Sequence, residues 1–148
     1  MSNFSNDGLQ VAEYLYDFAE DGGVDDTAIV LSDKDGKEPI PLNAIIKSVS
    51  LRVITAVVGT SSTLIVGNTT DPNGYMEAIA EATLVADFVT AEGVQNGVLL
   101  WDDTNDHRIP FLVNSANDAK FEVLIGTADL TAGKVAFFVE YYLGSVNT

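Results

Sequence analysis

The chain has 148 residues, 47% of them apolar, and no cysteine. That is long enough to close one core without staples, and it excludes a disulfide framework, a thiolate nucleophile and a cysteine metal site. Seven Lys and Arg stand against 22 Asp and Glu, a net charge of −15, and the cations are scattered, which argues against binding nucleic acid or an anionic membrane.

The opening stretch "MSNFSNDGLQ" lacks the basic and apolar blocks of a signal peptide. Residues 1–10 are expected to form a polar N-terminal arm, and residues 11–148 a single β-sandwich domain. No apolar run reaches the roughly 18 residues of a membrane span. The expected setting is therefore a soluble chain made in the cytoplasm.

The first expected strand is 11–19, with Tyr14, Tyr16 and Phe18 on one face. A turn at Asp21-Gly22-Gly23 leads to a strand at 27–32, and "DKDGKEP" at 33–39 reads as another turn. Segment 44–58 alternates, with Val49, Leu51, Val53, Thr55 and Val57 against Ser48, Ser50, Arg52, Ile54 and Ala56. That period of two is the mark of a strand with one buried face. Strand 62–67 follows. After "DPNG" at 71–74, the residues Tyr75, Ile79 and Ala82 share a helical face, so a short helix is expected near 75–82.

Strands at 97–102, 107–113, 119–127 and 133–143 complete the count. In the last, Val135, Phe137, Val139, Tyr141 and Leu143 face one way and Lys134, Ala136, Phe138, Glu140 and Tyr142 the other. About eight short strands separated by turn residues predict an all-β protein, a single β-sandwich of jelly-roll or Greek-key type.

The strongest candidate for chemistry is "WDDTNDHRIP" at 101–110, which holds the only histidine and the only tryptophan. Its centre, Asp102 to Asp106, is what a hairpin turn needs, with aspartates accepting from backbone N–H groups. A calcium loop is the competing reading, but no glutamate follows at EF-hand spacing. "DKDGKE" at 33–38 opens like an EF-hand loop and then runs into proline and apolar residues. No P-loop, dinucleotide fingerprint, nucleophile elbow or zinc-protease motif is present. No catalytic residue, metal ligand or cofactor site is assigned. The sequons at Asn3 and Asn68 carry little weight without a secretory signal. Exposed aromatics are enriched in subunit interfaces, which makes Tyr14, Tyr16, Phe138 and Tyr142 the candidate interface residues; the competing reading is that the two sheets of the sandwich bury them.

Four pieces of the chain carry a resemblance: "DGGV", "PIPLNAIIKSVSLRVITAVVGTSSTLIVGN", "DPNGYMEAIAEATL" and "IGTADLTAGKVAFFVEYYLG". Together they resemble the small structural proteins of tailed bacteriophages, in particular capsid decoration, or cement, proteins. The resemblance implies a non-enzymatic virion protein on the outer capsid surface. Its partners would be the major capsid protein, across whose capsomers it would bridge, and further copies of itself, as a homotrimer. A head-fibre, neck or tail component is the alternative within the same class. A calcium- or carbohydrate-binding module, using Trp101, Tyr75 and the acidic loops, is the alternative outside it.

Overall fold

The computed structural model describes residues 8–34, 37–91, 97–105 and 107–143. The strands are β1 (Leu9–Asp17), β2 (Thr27–Val30), β3 (Ile45–Gly59), β4 (Thr63–Asn68), β5 (Met76–Ala80), β6 (Val89–Ala91), β7 (Trp101–Asp102), β8 (His107–Arg108), β9 (Phe111–Leu112), β10 (Phe121–Gly126) and β11 (Leu130–Tyr142). Two single-turn helices, α1 (Phe18–Asp21) and α2 (Ala116–Ala119), close connections. Asp17 caps the first and Ser115 the second, each accepting a backbone N–H.

One sheet runs β1-β11-β3-β6, with β9 also on β3, and the other runs β2-β10-β4-β5. Every pairing is antiparallel. Setting aside the short β7, β8 and β9, the remaining strands in chain order read 1-8-3-6 in one sheet and 2-7-4-5 in the other. That is the connectivity of a jelly roll. The expected all-β sandwich is the fold observed.

The core between the sheets follows from the alternation. Val49, Leu51 and Val53 of β3 and Val135, Phe137 and Val139 of β11 are fully buried. Phe121 of the second sheet joins them: its ring lies 4.9 Å from Tyr14, 6.0 Å from Tyr75 and 5.2 Å from Phe137. One phenylalanine therefore ties rings from both sheets. The register of β11 slips around Ala132–Val135, and Gly133 there has φ 147°, a conformation that a side chain would strain.

The helix expected near 75–82 is a strand. β5 pairs with β4 through Thr63↔Ala80, Leu64↔Ile79 and Val66↔Met76, so β5 carries one more residue than β4 between the last two pairs. That bulge turns Met76 and Ile79, three apart, into the same core. Three-residue spacing of buried side chains mimics a helix, and only the one turn of 3-10 helix at Glu81–Thr83 follows.

Other boundaries move for local reasons. Segment 97–102 is mostly a turn, closed by Leu100 N–H donating to Gly97 O at 3.1 Å, and Leu100 is a core plug. Segment 107–113 breaks at Pro110, which has no N–H to give a ladder, into β8 on β7 and β9 on β3. At the other end Leu9 and Gln10, expected in the arm, already belong to β1.

Glu122 of β10 is buried, with Thr69 Oγ1 donating to its Oε2 at 3.3 Å. Burial raises its pKa above the usual carboxylate value, and the Thr69 bond only partly opposes this. A carboxyl raised in the folded state weakens folding as pH climbs above its unfolded value. Glu122→Gln is therefore expected to raise the melting temperature at pH 7, and the gain should vanish below about pH 4, where both side chains are neutral. A Gln variant that melts at or below the parent temperature at pH 7 would refute this account.

Candidate interaction surface

Two of the four aromatic residues proposed for an interface lie in the core. Tyr14 is 2% exposed and Tyr16 0%. Tyr14 stacks on Phe121 with the rings 11° apart and donates its hydroxyl to Glu38 O at 2.8 Å. Tyr16 donates to Gly22 O at 2.7 Å. Burial pushes both phenols up, so they remain neutral donors. Even-numbered residues of β1 point inward, which removes Tyr14 and Tyr16 from any docking surface. Phe138 and Tyr142 sit on the outward side of β11, Phe138 half-buried and Tyr142 exposed.

Phe138 stands between Glu13 and Ser50, whereas Tyr142 belongs to an apolar band at one end of the outer face of the five-stranded sheet. Residues directly opposite in an antiparallel pair share a face. Leu9, Tyr142, Ile45 and Leu112 are paired in sequence across β1, β11, β3 and β9. They are 47%, 42%, 37% and 51% exposed. Val11 lies two residues along β1, and Val89 of β6 stands opposite Arg52. Exposed apolar side chains scattered singly need no explanation, but a row spanning four strands does.

The same face is close to neutral. Among the described residues, Lys47, Arg52 and Lys134 stand on or beside it against Glu13, Asp17, Asp87 and Glu140, a sum of −1. Arg52 reaches Asp87 at 3.1 Å and Lys134 reaches Asp17 at 3.4 Å. Glu140 accepts from Ser48 Oγ. Covering this face strips water from few unpaired charges, which is the condition for burial to be favourable.

The acidic stretch at 102–105 is a turn. Asp102 Oδ1 accepts from Thr104 N at 2.9 Å and Asn105 N at 3.3 Å, and its Oδ2 accepts from Asn105 Nδ2 at 2.8 Å. These bonds hold the connection between β7 and β8 as an Asx turn. Asp106 lies outside the described residues. Among the described residues no cluster of three His, Asp or Glu is placed to hold a metal. In the second acidic stretch, Asp33 ends a 3-10 turn and Lys34 Nζ reaches Asp21 Oδ2 at 2.6 Å; Asp35 and Gly36 lie outside the described residues.

Tyr75 is also core, stacked on Phe121 and edge-on to Phe111, so it offers no platform to a sugar ring. Asn68 of the sequon is fully buried; its Nδ2 donates to Tyr75 Oη and its Oδ1 accepts from Asp71 N. Asn3 lies outside the described residues.

No family model and no curated protein matches the chain. Solved structures do. A chain of the cyanophage Pam1 capsid asymmetric unit superposes with a TM-score of 0.63 at 18% identity, over 97% of this chain and 91% of that one. A chain of the Ralstonia phage GP4 capsid superposes at 0.52 and 17% identity, over 98% and 92%. The fold is one found in phage capsids. A chain of the Helicobacter pylori bacteriophage KHP30 capsid aligns at 0.47 and 16% identity, over 93% and 90%, and adds nothing to the fold argument.

Leu9, Val11, Ile45, Leu112 and Val89 were not singled out by sequence. Their signal was an apolar residue at the solvent parity of a strand, and it gains meaning only when the register brings together such residues from four strands.

Proposed function

We propose that this protein is a non-enzymatic structural component of a phage virion. It binds the outer surface of the capsid, as a homotrimer, and stabilises the shell by bridging neighbouring capsomers. The observation that carries the reading is a band on the outer face of the five-stranded sheet: an apolar row across four strands, on a face whose described charges nearly cancel. A shell protein is the occupant proposed for it. Two chains that superpose on this fold come from phage capsid structures, which supports the setting.

The mechanism needs no reacting group. Burying apolar area yields about 25 cal/mol per Å², and a side chain that goes from half-exposed to covered contributes roughly 1 kcal/mol. A handful of such residues, repeated at many lattice positions, opposes separation of capsomers. The strong net negative charge of the chain then keeps finished particles apart.

The test is a copy number. Particles from the source are purified and this chain is quantified against the most abundant shell protein by mass spectrometry. A large fixed ratio, such as one to one, is expected. A few copies per particle would move the protein to a fibre, neck or tail position. Absence from particles would end the virion reading.

A further inference from the structure

We propose that the open edge of β1 receives an extended, basic segment of a partner protein as an added strand. The first support is which backbone groups face out. Leu143 N donates to Gly8 O, and Asp17 N donates to the Asp21 carboxylate rather than to β11. Bonding in an antiparallel pair alternates residue by residue. The even residues of β1 therefore bond to β11, while Leu9, Val11, Glu13 and Leu15 direct N–H and C=O away from the sheet. Among the described residues no backbone partner meets these four. They span about 20 Å, the length of a six- or seven-residue strand.

The second support is contrast with the other edges. Exposed edges are ordinarily blunted by shortness, bulges, proline or lysine. Here β2 has four residues, β6 three and β9 two, and β5 is bulged. β1 has nine residues paired to β11 without a register shift, and its sequence "LQVAEYLYD" holds neither proline nor lysine. It is the one long, regular edge among the described residues, and none of them pairs with its outward side.

The third support is the groove beside it. About 600 Å³ lies between β1 and segment 37–42, lined by Val11, Ala12, Ile40, Pro41, Leu42 and Tyr141. Its far wall is held in place, by Tyr14 Oη donating to Glu38 O and by Ile40 N donating to Ala119 O at 2.9 Å. An added strand would place alternate side chains in this apolar groove, the arrangement by which sheet edges capture peptides. Glu13 and Glu38 border the groove against one cation, Lys37, on a chain of −15. That favours lysine or arginine in the incoming segment. It disfavours a second copy, whose own β1 would bring another Glu13 and another −15.

The inference rests on the virion reading only for the partner's identity, and the edge is testable without particles. The probe is acetyl-(Val-Lys)4-amide, titrated into the isotope-labelled full chain. Amide exchange of Leu9, Val11, Glu13 and Leu15 is expected to slow at least tenfold, while Ala12, Tyr14 and Tyr16, already in the ladder, stay unchanged. Glu13→Pro removes one outward N–H without touching the β11 bonds and should abolish the effect. Glu13→Lys leaves the backbone intact, should weaken the basic peptide at least tenfold and should favour acetyl-(Val-Glu)4-amide instead. Exchange unchanged at millimolar peptide overturns the proposal, as does equal binding by the Glu13→Lys chain. A chain missing from particles whose edge is still protected by the peptide would end the capsid assignment and leave the edge site. A chain that coats particles with these four amides as exposed as in the free protein would do the reverse.

Discussion

Phe121→Ala is expected to cost about 3–5 kcal/mol of folding stability, the range for emptying a buried phenylalanine site. The ring sits on β10 of the four-stranded sheet and meets Tyr14 and Phe137 from the five-stranded one, with Tyr75 alongside. Truncation removes its apolar contacts and leaves a cavity walled by three large rings. Two of them, Tyr14 and Tyr75, are held by hydroxyl hydrogen bonds to Glu38 O and Asn68 Nδ2, so the site cannot readily collapse. In a chain of 148 residues each kcal/mol moves the midpoint by roughly 2–4 °C, so the melting temperature should fall by about 6–20 °C. Phe121→Leu, which keeps most of the volume, should lose less than half as much. Thermal or urea unfolding reads both. A loss below about 1 kcal/mol for the alanine variant would mean that the ring cluster does not hold the sheets together.

Parts of this architecture were readable one strand at a time. β3 and β11 alternate because one side of each is in the core, and Val49, Leu51 and Val53 or Val135, Phe137 and Val139 show it directly. Where a strand departs from period two, the pattern misleads. The bulge in β5 sets Met76 and Ile79 together and so imitates a helix. β1 is harder still, because it is apolar on both sides: Tyr14 and Tyr16 on one, Leu9, Val11 and Leu15 on the other. Parity says which residues travel together and nothing about which set faces the core. Sequence parity alone therefore leaves the aromatic set free to be surface, although its rings are the better core fillers and its hydroxyls find backbone carbonyls inside.

The apolar band was hidden for a different reason. Leu9, Ile45, Leu112 and Tyr142 are far apart in the chain and belong to four strands. No window along the sequence contains two of them. Their adjacency is created by jelly-roll connectivity, which places the first strand beside the last and the third beside both the last and β9. Likewise the charge on that face is a property of the register: the chain's acidity is visible in its composition, but its near-cancellation around Arg52 and Lys134 is not.

That face is where a small change should have the largest effect on attachment. Ile45 and Tyr142 are direct cross-strand neighbours, both well exposed, and neither donates or accepts in a described side-chain bond. Replacing both with aspartate sets like charges directly opposite in the sheet, so folding should lose about 1–2 kcal/mol, and affinity is compared only below the variant's melting transition. In the bound state the same two carboxylates would be stripped of water without a partner. Loss of apolar contact adds to that penalty, so attachment to undecorated particles is expected to weaken at least a hundredfold, about 2.7 kcal/mol. Adding two negative charges to a chain of −15 also strengthens long-range repulsion, and the control must match it. Thr27→Asp with Ala80→Asp adds the same charge at exposed positions of the opposite sheet. If the face does the binding, the control pair should change affinity by less than about threefold at 0.15 M salt, where exposed charges are screened beyond about 8 Å. Equal losses for the two pairs would assign the effect to overall charge and remove the five-stranded sheet as the docking face.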